Sequence, residues 1–144
     1  MSASAMADAL VTMLSAASVF GPNMVTKEDY SVLDICSGSC AVINVGGLAS
    51  EPATFGTPSG RERVWEFRID TWIKDTGDPF IMRTRVLSLT NLVLTTLESD
   101  ETLQGTAFDV GRIAMRYDPT SSIYKYGSRL WCNPVWTVAA REYT

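Results

Sequence analysis

Val64-Trp-Glu-Phe-Arg-Ile-Asp-Thr-Trp-Ile-Lys74 alternates apolar and polar residues. Side chains on a strand point to opposite faces in turn, so Trp65, Phe67, Ile69 and Ile73 share one face while Glu66, Arg68 and Asp70 share the other. The first predicts a core surface and the second a polar surface left free for contact. Asp78-Pro79 then supplies a helix N-cap followed by proline at the first helical position, where its missing N–H costs nothing. The helix is expected from Pro79 to about Leu97, near 27 Å long. Met82, Val86, Leu89, Val93 and Leu97 form one stripe, widened by Leu92 and Leu94, suited to covering a sheet face. The loop Glu98-Ser-Asp-Glu-Thr-Leu-Gln-Gly-Thr-Ala107 leads to a second alternating strand, Phe108 to Tyr117. It sets Ile113, Met115 and Tyr117 on one side and Arg112 and Arg116 on the other. If it pairs with the first strand, Arg112 and Arg116 face Glu66 and Asp70.

Outward from this block (63–117), Met6, Leu10, Met13, Leu14 and Ala17 fall at helical spacing, giving an N-terminal helix from about Ser4 to Phe20, within segment 1–22 and stopped by Gly21-Pro22. Thr26-Lys-Glu-Asp29 reads as a capping box opening a short turn through Tyr30, Val32 and Leu33. Cys40-Ala-Val-Ile-Asn-Val45, bounded by Gly38 and Gly46-Gly47, reads as a buried strand. Leu48 to Glu62 is rich in Gly, Pro, Ser and Thr and reads as a long exposed loop. Asp118 to Ser122 marks a turn, Ile123 to Ser128 a loop, and Leu130 to Tyr143 a closing strand that Pro134 bends or places at an edge. The expected fold is α+β. A mostly antiparallel sheet of about four main strands packs against one long helix, with an N-terminal helix added, in a single domain over 1–144.

The chemistry points away from catalysis. The chain has no histidine, which removes the commonest general base, the commonest metal ligand and every Ser-His-Asp or Cys-His arrangement. Glu66 and Asp70 share a strand face but lie ~13 Å apart, too far for a glycosidase pair. Glu98, Asp100 and Glu101 crowd one acidic loop, without the glycine or distal glutamate of an EF-hand. Cys36, Cys40 and Cys132 lack CxxC spacing and read as buried reduced thiols. Gly46-Gly47 and Gly105 fit no phosphate-loop pattern. Arg61-Glu-Arg63 is a small basic point suited to an interface ion pair. Catalytic, metal and cofactor-binding residues are therefore expected to be absent. A net charge of −4 and pI near 4.7 argue against gripping nucleic acid. No window of ~18 residues is continuously apolar, so no membrane span is expected. The apolar start carries Asp8 and no preceding Lys or Arg, unlike an export signal. Charged residues make up only 19% of the chain, against ~25% in typical domains, as for a surface covered in an assembly.

The run Val64-Trp-Glu-Phe-Arg-Ile-Asp70, the amphipathic helix after it, and Asp100-Glu-Thr-Leu-Gln-Gly-Thr-Ala107 before the next strand resemble tail-terminator proteins of long-tailed bacteriophages. The likeness runs from about Cys40 to Tyr143 and extends to tail-completion and head–tail joining proteins. It implies a virion subunit of the tail neck that forms a hexameric ring on the last ring of tail-tube protein, stops polymerisation and meets the head connector. It also implies DNA passing through the lumen without specific binding, and assembly in the host cytoplasm. On this reading Arg61, Arg63, Glu66, Arg68, Asp70, Arg112 and Arg116 are candidates for contact between subunits. The Leu48–Glu62 loop, the N-terminal helix and Ser121–Arg129 are candidate contact segments. A soluble domain holding an apolar ligand among Trp65, Trp72, Trp131 and Trp136 is the rival. A small hydrolase using carboxylates or Cys40 is the least favoured reading.

Overall fold

The computed structural model describes residues 3–17, 20–36, 38–52, 61–74, 78–117, 123–126 and 129–143. In chain order these form α1 (Ala3–Ala16), β1 (Val25–Lys27), α2 (Val32–Ile35), β2 (Ser39–Pro52), β3 (Arg61–Lys74), α3 (Pro79–Glu98), β4 (Asp109–Arg116), β5 (Ile123–Tyr126), β6 (Arg129–Cys132) and β7 (Val135–Tyr143). The fold is α+β, and among the described residues seven strands join in one mixed sheet.

Strand β3 is its axis. It pairs antiparallel with β2 along its whole length, with β7 from Glu62 to Asp70, and with β6 at Ile73 and Lys74. Beyond β7 and β6 lie β4 and β5, while β1 adds a parallel strand against Ala41–Ile43 of β2. Pro134 has no N–H for a ladder, so the closing segment breaks there into β6 and β7. Its carbonyl accepts from the Thr71 backbone N–H at 3.1 Å and from the Thr71 hydroxyl at 2.6 Å, which keeps the break bonded to β3.

Helices α1 and α3 cover one face. The stripe Met82, Val86, Leu89, Val93 and Leu97 is buried against Phe67, Ile69, Ile73, Trp136 and Val138, with Met6, Leu10 and Leu14 of α1 beside it. Each such aliphatic side chain contributes about 1.5–3 kcal/mol by leaving water. The Asp78 carboxylate accepts from the N–H groups of Phe80 (2.9 Å) and Ile81 (3.4 Å), satisfying two donors that the first turn cannot. Lys27 reaches Asp8 at 2.9 Å and ties β1 to α1.

Several expectations are corrected. Among the described residues the sheet has seven strands and one parallel pair where about four antiparallel strands are expected, and the short turn expected through Tyr30, Val32 and Leu33 is helix α2. Residues 48–52 and 61–62 are not loop: β2 continues past the glycines, pairing Ala49 with Val64 and Pro52 with Arg61. Ladder hydrogen bonds come from the backbone, so Gly and Ser do not forbid them once the partner strand is strong, and Pro52 comes only at the last residue of the strand. The rest of that segment, 53–60, lies outside the described residues. Thr26 sits in β1, not at a helix cap, because Val25 is buried and draws the chain along β2. The turn into α2 is held instead by Asp29, which accepts from Ser31 N–H at 3.0 Å. Ile123–Tyr126 is strand β5, paired with β6, and not loop. The turn expected at 118–122 lies outside the described residues. Strand β7 is interior, since Pro134 precedes it and does not interrupt it.

Candidate assembly surface

The sheet face away from α1 and α3 carries the residues that alternate with the core. Reading across β2, β3, β7 and β4, one row is Gly47, Glu66, Ala139, Arg112; the next is Asn44, Arg68, Thr137, Ala114; the third is Val42, Asp70, Val135, Arg116. The expected pairing of Arg112 and Arg116 with Glu66 and Asp70 thus falls in the right rows with the wrong neighbour. Strand β7 stands between β3 and β4, so the paired positions are about 10 Å apart, two strand spacings. Pairing between strands distant in the chain is set by tertiary packing, which alternation within one strand does not record.

The two ends of this face differ. At the third row β2 and β3 are covered, while Arg116 on β4 stays exposed: α2 and its flanking turns pack Val32, Leu33 and Cys36 onto Cys40, Val42 and Trp131, with Trp72 at the side. Asp70, expected to be free, is 1% exposed. Its carboxylate accepts from the Tyr30 hydroxyl at 2.8 Å and from Arg68 Nε at 3.0 Å, and Asn44 Nδ2 donates to the Tyr30 oxygen at 2.7 Å. Burial, then the neighbouring Asp70 carboxylate, pushes the Tyr30 phenol above its ordinary value. A hydrogen bond with Cys36, then burial, raises the Cys40 thiol likewise, and all three cysteines are buried.

At the first row the face is open. Glu66, Arg112, Ala114, Thr137 and Ala139 line a shallow depression of about 240 Å³, acidic on the β3 side and basic on the β4 side, with small residues as its floor. Among the described residues Glu66, Arg112 and Arg116 have no ion-pair partner. Their neighbours are paired: Arg141 donates to Asp109 from Nε at 2.6 Å and also from Nη2, and approaches Glu62 at 3.7 Å. The Asp109 hydrogen bonds hold the Arg141 guanidinium above its ordinary range. Both outer strands bulge beside this row, β2 between Val45 and Gly47 and β4 between Val110 and Arg112. A bulge bends its strand and blunts an edge against ladder pairing. At Gly46 a Cβ would come within 3.4 Å of the Glu66 carbonyl, so glycine fits the tight side of the bend.

Arg61 and Arg63 are not part of this group, since they alternate onto the helix side of β3. Arg61 donates to Ser50, while Arg63 lies 3.7 Å from Glu142, whose carboxylate also accepts from Trp65 Nε1 at 3.1 Å. Glu142 is buried and was not anticipated; its place in the β7 alternation beside Ala140 and Val138 was the available signal. The loop of Glu98, Asp100 and Glu101 is held together by Asp100 itself. Oδ1 accepts from the Thr102 hydroxyl (2.8 Å) and Thr102 N–H (3.0 Å), and Oδ2 from Gln104 N–H (2.9 Å). The Thr102 hydroxyl and then these backbone donors hold the Asp100 carboxyl below its ordinary value. They also support three successive left-handed residues, Leu103, Gln104 and Gly105, around a fully buried Leu103. Glu98 and Glu101 flank a groove between α3 and β4 that Gly111 and Ile113 also line.

Helix α3 adds an apolar outer surface. Phe80 is 78% and Leu87 58% exposed, with Ile81 and Leu92 partly so, beside a groove of about 460 Å³ that includes Ile73, Arg85, Ser88 and Leu89. The four tryptophans do not share a pocket: Trp136 and Trp65 belong to the helix-side core, Trp131 and Trp72 to the opposite cluster.

No family model and no curated protein matches the chain. Among solved structures it is similar to the sheath/tube terminator, in the extended state, of PVC, an extracellular contractile injection system. The match has 12% identity and a TM-score of 0.51, and covers all of this chain and 57% of the other. The chain therefore spans a little over half the length of that terminator, and the likeness is one of fold.

Proposed function

We propose that the chain is a non-enzymatic structural subunit of a phage-like tail, a terminator that caps the tail tube. The observation that carries this reading is the whole-chain similarity of fold to a sheath/tube terminator. Glu66, Arg112 and Arg116, without ion pairs among the described residues, and the apolar outer surface of α3 support it, since both are surfaces suited to being covered. In its finer form the proposal is one domain that assembles as a hexameric ring on the last tube ring, meets the head connector in the virion neck, and lets DNA through an acidic lumen without gripping it. Assembly then takes place in the host cytoplasm. A neck adaptor or tail-completion role at the same joint shares the ring and differs in its neighbours. The ligand-binding rival loses its support, because its four tryptophans lie on opposite faces of the sheet.

Negative-stain electron microscopy of the purified chain, alone and with polymerising tail-tube protein, tests the proposal. Rings alone and tubes capped at one end are expected. Isolated subunits that neither form rings nor bind tube ends contradict it.

A further inference from the structure

The open end of the sheet has a polarity. Across it, opposite charges stand on opposite sides: Arg112 on the outer strand β4, with Arg116 two rows further along that strand, and Glu66 on β3. Between Glu66 and the β2 border lie only the glycines of the bulge, so that border offers the carboxylate with little side-chain bulk in front of it. Two neighbouring arginines of this face are matched within the chain, Arg68 by Asp70 and Arg141 by Asp109 and Glu62. Among the described residues, Glu66 on β3 and Arg112 and Arg116 on β4 are left without an ion pair.

We infer that Glu66 of one copy pairs with Arg112 and Arg116 of the next, so that copies of this chain join head to tail through the open end of the sheet. The partner is a second copy because the two halves of the complement are both here, unused and apart. A two-fold contact between like borders would set Arg112 and Arg116 against themselves, and like charges brought together oppose association, whereas one that pairs Glu66 with Arg112 reciprocally stops at two copies, short of the ring. A head-to-tail contact joins unlike borders, leaves each copy with both halves engaged, and closes into a ring when its rotation allows. The bulges at Gly46 and Gly111 make side-chain pairing, and not a continued backbone ladder, the means of contact. The inference rests on the ring reading above and adds which surfaces meet.

Charge reversal with native mass spectrometry of the full chain tests it. The expected results are assembly of the wild type that weakens with added salt, and self-association weakened on the order of a hundredfold in Glu66→Arg and in the double variant Arg112→Glu, Arg116→Glu. An equimolar mixture of the two variants is expected to restore species larger than dimers, since unlike charges meet again at every contact. Far-ultraviolet circular dichroism checks each fold. Glu66→Gln and Arg112→Gln, which remove attraction without adding repulsion, serve if a reversal unfolds the chain, and they too are expected to weaken assembly. Variants that assemble like the wild type, or a mixture that stays monomeric or stops at dimers, overturn the contact while leaving the ring reading intact. A wild-type chain that never self-associates, alone or with tube protein, overturns the ring reading itself.

Discussion

The two ends of one sheet face obey different rules. Under α2, two strands present Cys40, Val42, Asp70 and Trp72 to a second small core, and the charge at its rim is bound by Tyr30, Asn44 and Arg68. Toward the bulges the same strands present Glu66 and small residues, with Arg112 and Arg116 unmatched on β4. Burial requires a charge to be bonded, whereas water tolerates an unmatched one. The covered end is thus finished within the chain, and the open end is free to be completed by a neighbour.

The difference can be broken from either side. The largest effect is expected where both faces of the sheet are filled. Trp131→Ala removes a fully buried side chain from the covered end and should cost about 3–5 kcal/mol in denaturant unfolding. Glu66→Gln at the open end should change stability by less than about 0.5 kcal/mol while changing assembly. Comparable losses at the two positions would remove the distinction.

A middling effect should follow Asp70→Asn, which weakens the buried acceptor shared by Tyr30 and Arg68 and should cost about 2 kcal/mol. The folded chain holds the Tyr30 proton more tightly than the unfolded chain, so this contribution is present below the ordinary tyrosine value of 10.0 and is lost as pH rises through the folded one. Asp70→Asn should move the Tyr30 ionisation, followed by ultraviolet absorbance, back toward 10.0. An unshifted titration would show that Asp70 contributes nothing to it, leaving burial alone.

What the sequence disclosed follows the range of the forces involved. Alternation in β3, the α3 stripe and the Asp78 cap are local, and each appears where the residues place it. The placement of β7 between β3 and β4 is not local, so alternation puts Arg112 and Arg116 in the right rows without showing the strand that stands between. Asp70 reads as a free strand charge because nothing near it in sequence announces Tyr30, 40 residues earlier. The 48–52 segment reads as loop because its composition is turn-like, yet a strong partner strand supplies its ladder. The acidic loop reads as a cluster of carboxylates without a cation-binding pattern, and its composition does not announce that the Thr102 and Gln104 donors occupy Asp100.

Cysteine cross-linking tests the central claim most directly. The native thiols Cys36, Cys40 and Cys132 are buried, so new ones at the open end report alone. Within one chain positions 66 and 112 are about 10 Å apart by strand spacing, too far for a disulfide bond. Under mild oxidation with copper-phenanthroline, the double variant Glu66→Cys, Arg112→Cys should give a ladder of covalent multimers beyond the dimer on a non-reducing gel, and neither single variant should. A double variant that remains monomeric, or that halts at dimers, would contradict a head-to-tail contact through this face.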